Sequence, residues 1–94
     1  MSYIKLNHAA VRLILLSDWD PLGVAGILAA ENEYDHFVDE VLNLVRHATV
    51  HAVAQHLHDI ETRKMGRPGD MVRCLAVAER MHALLTVRLT RPRH

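Results

Sequence analysis

An all-α fold, a compact four-helix bundle with one irregular crossover, is what this sequence predicts, and three observations predict it. Half of the 94 residues are apolar but only 4% are aromatic, so Leu, Val, Ile, Ala and Met must build the core. That palette suits helices better than a β-sandwich. Apolar residues recur at i, i+3, i+4 and i+7 in successive stretches, and no run alternates with the period of two that a strand requires. Breakers and caps, namely Asp20-Pro21, Thr49 and Gly66-Arg67-Pro68-Gly69, separate those stretches. The length fits one domain, which buries roughly 60–65% of its unfolded surface.

The first helix is expected over about residues 3–17, from Tyr3 to Ser17. Lys5 and Arg12 share one narrow polar strip with His8 beside it, and Leu6, Ala10, Leu13, Ile14 and Leu16 cover most of the rest. So apolar a helix belongs at the centre of a bundle or at an interface. Asp20-Pro21 ends it, because the residue before proline is pushed out of the α region. An irregular loop follows, over about residues 18–31, where Gly23 and Gly26 disfavour a long regular helix.

Asn32 is placed to cap the second helix, 33–47, with Asp35 three residues on as in a capping box. Tyr34, Phe37, Val38, Val41, Leu44, Val45 and Ala48 form its inward stripe, opposite Asp35, Asp39, Asn43 and Arg46. Thr49 caps the third helix, 50–65, whose Val50, Val53, Ala54, Leu57, Ile60 and Met65 point inward. Arg63 and Lys64 suit the dipole in its last turn, and Gly66 fits the left-handed position after it. Asp70 caps the fourth helix, 71–90, with Met71, Cys74, Leu75, Ala78, Met81, Leu85 and Leu89 as its buried stripe. Residues 91–94 form a frayed tail.

Net charge is zero but unevenly laid out. Residues 1–45 hold two bases against seven acids, a balance of −5, and residues 46–94 hold nine bases against four acids, a balance of +5. That polarity can be neutralised within the fold, meet a second copy, or leave an acidic surface for a basic partner. Nucleic-acid binding is disfavoured, since phosphate neutralisation wants an excess of Lys and Arg. Helices three and four across Gly66–Gly69 echo a helix-turn-helix only superficially, because the fourth begins with Asp70 where phosphates would approach. Cys74 is the only cysteine, so no internal disulfide forms, and a cytoplasmic setting fits. Arg12 leaves four apolar residues before Ser17, fewer than a secretory signal needs, and no run is long enough to span a bilayer.

Catalytic and metal chemistry find little footing. The carboxylates near residues 18–39 have no fixed separation that would mark a hydrolytic pair. Among the eight histidines, His56 and His58 diverge on a helix, His51 and His58 lie two turns apart, and Thr49 breaks the helix between His47 and His51. No cofactor or metal is therefore expected. Cys74 sits on an apolar stripe as a small core residue, and Met65, Met71 and Met81 read as core fillers.

The pattern Trp19-Asp20-Pro21-Leu22-Gly23-Val24, then Glu33-Tyr34-Asp35, then His56-Leu57 through Ile60-Glu61 to Met65-Gly66 resembles a group of small bacterial proteins of uncharacterised function. Their signature runs WDPxGV…EYD and precedes two amphipathic helices, the second ending near MG. The resemblance spans residues 18 to about 66; Asn32 stands where an acid is common. It implies a bacterial, cytosolic, all-helical protein and singles out Asp18, Trp19, Asp20, Pro21, Gly23, Tyr34 and Asp35. It carries no activity with it.

The functional expectation is a non-enzymatic interaction module, such as an immunity or antitoxin-like regulator. It would dock a basic protein partner through an acidic loop-and-helix surface formed by Asp18, Trp19, Asp20, Glu33, Tyr34, Asp35 and Asp39. Acidic complementarity would speed association, with aromatic contact area added by Trp19 and Tyr34. The alternatives are a homodimer seamed by the first helix and a small metal-dependent enzyme.

Overall fold

The structure, a computed structural model, describes residues 6–24, 26–27 and 32–86. The described residues are all-helical, with helices α1 (His8–Ile14), α2 (Asp35–His47), α3 (Val50–Asp59) and α4 (Met71–Thr86). Predicted helical residues 3–5 and 87–90, Leu89 included, lie outside the described residues, as do loop residues 28–31 and the tail.

Helix α1 starts later than the periodicity predicts. Asn7 is extended, and its side-chain oxygen accepts from Ala10 N at 2.9 Å, which satisfies one of the free amides of a helix start. Its buried residues are Val11 and Ile14, followed by Leu15 and preceded by Leu6, whereas Leu13 is 63% exposed. Of the expected apolar residues, Leu6 and Ile14 are thus buried and Ala10 and Leu16 pack against the core, while Leu13 faces outward.

Two helices end in a widened turn. After α1, residues Leu15–Trp19 form a π turn closed by Asp20 N on the Leu15 carbonyl at 2.9 Å. After α3, residues Ile60–Lys64 do the same, closed by Met65 N on the Ile60 carbonyl at 3.0 Å. Such turns hold one residue more than an α turn and re-aim the side chains that follow. Trp19 thus ends the first helical segment, and the irregular loop starts at Asp20 rather than 18.

Tyr34 occupies the cap position of α2 without a side-chain capping bond, and Asn32 does not cap as predicted. Its Oδ1 accepts from Arg12 Nη2 at 2.7 Å instead, tying the turn to α1. Thr49 caps α3 as expected, accepting from Ala52 N at 3.1 Å, and Asp70 Oδ1 accepts from Arg73 N at 3.1 Å in the first turn of α4. Gly66 takes the left-handed position at φ +67°.

The core lies where the four helices meet: Val11, Ile14 and Leu15 against Phe37, Val38, Val41, Leu42 and Val45, closed by Val53, Ala54, Leu57 and Ile60 and by Cys74, Val77, Ala78 and Met81. Leu42 and Val77 join it beyond the predicted stripes, while Leu85 is 37% exposed. No helix of the described residues is long and apolar enough to cross a membrane.

Candidate functional site

Trp19 and Tyr34 are 0% and 1% exposed. Their rings pack at 5.3 Å between centroids, and Phe37 meets Trp19 edge-on at 6.4 Å. Neither aromatic offers area to a partner; both are core. The reason is chemical as well as apolar, because each polar tip finds an internal acceptor. Tyr34 Oη donates to Asp20 Oδ1 at 2.6 Å and accepts from Leu22 N at 3.1 Å. Asp20 Oδ1 also accepts from Val24 N at 2.8 Å. Asp20 sits at φ +35°, a left-handed conformation that Asp tolerates better than most residues and that these bonds offset. Burial, then the bond to Asp20, pushes the Tyr34 hydroxyl well above its ordinary 10.0.

Trp19 Nε1 donates to Glu61 Oε1 at 3.0 Å, bridging the two π turns. Glu61 is 2% exposed, the fully buried charged side chain of the described residues. Its other oxygen accepts from Asp70 N and from Cys74 Sγ, the latter at 3.5 Å. One carboxylate therefore joins the end of α1, the end of α3 and the start of α4. Gly69 favours this: it sits at φ +85°, and a Cβ there would lie 2.5 Å from His58 Nε2 and 2.7 Å from Thr62 Cγ2, so those side chains would have to shift. Arg73 adds a bond from Nη1 to the Trp19 carbonyl at 3.3 Å. Glu61 was not among the expected site residues. The signal for it was a carboxylate one turn beyond Leu57, on the apolar face of the third helix.

Burial, and next the Glu61 carboxylate, push the Cys74 thiol up from its ordinary 9.0 to about 12. Cys74 stays protonated at neutral pH and is no nucleophile. The unfolded chain releases these protons first as pH rises, so the Cys74 contribution is full below about pH 9 and that of Tyr34 below about pH 10, and both are lost as pH climbs towards the raised folded values. Urea midpoints are expected to fall from about pH 9 towards pH 12, less steeply in Cys74→Ala than in the wild type.

The remaining expected site residues are outside this knot. Asp18 is held by Arg80 of α4. Glu33, Asp35 and Asp39 are exposed at the start of α2. Asp35 Oδ1 accepts from Arg12 Nε at 2.8 Å, Asp39 takes His8, and the neighbouring Glu40 takes His56. Part of the charge polarity is thus neutralised across the fold. A groove of about 480 Å³ lies between α1 and α2, lined by His8, Ala9, Arg12, Asp35, Val38 and Asp39. Among the described residues no three His, Cys, Asp or Glu side chains gather as a metal-holding group. No known protein family matches this chain, and no curated protein or solved structure is similar to it.

Proposed function

We propose that the chain is a protein-interaction module that docks a basic partner through the exposed acids at the start of α2. The observation that carries this reading is the placement of Glu33, Asp35 and Asp39, three exposed carboxylates within seven residues, of which Asp35 and Asp39 line the groove between α1 and α2. Their internal partners do not use them up. Exposed ion pairs are worth about 0–1 kcal/mol, so a partner's lysines or arginines can replace Arg12 and His8 at little cost. The core meanwhile fixes where α2 sits, which preorganises the face. Trp19, Asp20 and Tyr34 serve by holding that frame rather than by touching the partner.

The test separates face from frame. Glu33→Lys and Asp39→Lys are expected to reduce salt-sensitive capture of a basic partner from host extract at least about tenfold when combined, with the helical circular dichroism unchanged. Capture that is indifferent to both reversals removes the reading.

A further inference from the structure

A second groove, of about 330 Å³, opens where the loop after Asp20, the start of α2 and the end of the second π turn meet. Leu22, Glu33, His36, Phe37, Lys64 and Met65 line it. Grooves of this size hold small ligands. Each of the three segments is fixed by the fold itself. Leu22 N donates to Tyr34 Oη, Phe37 packs edge-on against Trp19, and Met65 N closes the π turn on the Ile60 carbonyl. Leu22 and Met65 are half-buried and Phe37 is buried, so the three supply an apolar floor. The His36 ring, 4.1 Å from that of Phe37 between centroids, adds a wall.

Glu33 and Lys64, exposed and of opposite sign, line this same groove without pairing with each other. Among the described residues neither takes part in an ion pair. That is unusual for this stretch of chain, since Asp35, Asp39 and Glu40 each take an internal base. Lys64 Nζ lies instead 5.6 Å from the centroid of the Phe37 ring, which holds the ammonium over the floor. A carboxylate and an ammonium set apart across an apolar surface complement a zwitterion with an apolar tail.

We propose that this groove binds a free α-amino acid with an apolar side chain. The ligand's ammonium pairs with Glu33, its carboxylate pairs with Lys64, and its side chain lies on Leu22, Phe37 and Met65. An ammonium has three donors, so Lys64 can bond the carboxylate while keeping its place over the ring. A residue inside a peptide carries neither charge, so the site selects the free monomer. The inference does not rest on the docking reading, with which it shares Glu33 alone.

The experiment is an amide NMR titration of the full chain with L-leucine at about pH 6.5, where a free α-amine is charged. Two analogues each lack one charge: L-leucinamide has no carboxylate and isocaproate has no ammonium. Leucine is expected to bind saturably, to shift the amides of Leu22, Phe37 and Met65, and to bind about three- to fivefold more tightly than either analogue. Lys64→Gln is expected to erase the preference over leucinamide and keep that over isocaproate; Glu33→Gln does the reverse. Each comparison is made within one variant, so a change in its stability does not imitate the result. Arg63→Gln and Glu79→Gln remove exposed charges outside the groove and keep both preferences. The site is overturned by the absence of saturable shifts at these amides, by analogues that bind as well as leucine, or by Lys64 and Glu33 variants that retain both preferences.

Discussion

Trp19→Ala is expected to lower the unfolding free energy by about 3–5 kcal/mol, the range for emptying a buried aromatic site. A domain of this kind holds about 5–15 kcal/mol in total, so the variant has little margin left. Two losses combine in it. The indole's packing on Tyr34 and Phe37 disappears, and Glu61 Oε1 loses its donor. Trp19→Phe separates them, since it keeps much of the volume and none of the N–H. It is expected to cost about 1–3 kcal/mol, the penalty for a buried polar atom left without a partner. Urea denaturation of both variants measures this. A Phe variant as stable as the wild type would show that the bond to Glu61 contributes nothing.

Glu61→Leu has a comparable effect for the opposite reason. It strands three donors, Trp19 Nε1, Asp70 N and Cys74 Sγ, of which the indole and the thiol are buried. A cost of about 3–5 kcal/mol is expected, as for breaking a buried polar network. The sharper variant is Glu61→Gln, nearly the same in shape. Glutamine has one oxygen, so its NH₂ must face either the Trp19 indole or the Asp70 amide, donor against donor. It is expected to lose about 1–3 kcal/mol rather than rescue the site. A silent Gln substitution, read by urea midpoint, would mean the carboxylate is not the junction of the three segments.

Periodicity made α2 and α3 legible, because their stripes run through regular α turns and Thr49 caps one of them with its own side chain. Gly66 and Asp70 were legible for the same local reason. The first helix was legible in part: Leu6 and Ile14 are buried, but Leu13 is exposed, and the buried Val11 and Leu15 were not singled out. Its end was not legible, because the π turn at Leu15–Trp19 carries the helical winding on to Trp19. Tyr34 is buried as the stripe of the second helix predicts, but its acidic neighbours also gave it, with Trp19, a place on the partner surface. Trp19 and Tyr34 sit among Asp18, Asp20, Glu33 and Asp35, which reads as surface, but their burial depends on Glu61 and Asp20 acting as internal acceptors. Those contacts span 42 and 14 residues, beyond any local pattern. The exposure of Asp35 and Asp39 was readable from one helix face alone; Glu33, exposed as well, lies in the turn before α2.

The two π turns make the chain unevenly tolerant of changes in its length. Each holds one residue beyond an α turn, and that surplus aims Trp19 and Glu61 at one another. Removing Ile60 would restore ordinary winding and swing Glu61 by about 100°, a single α-helical step. A one-residue gap there is a rotation of the junction, not a shortening of it. Spacing, as much as side-chain identity, is what a descendant of this chain must inherit at those two places.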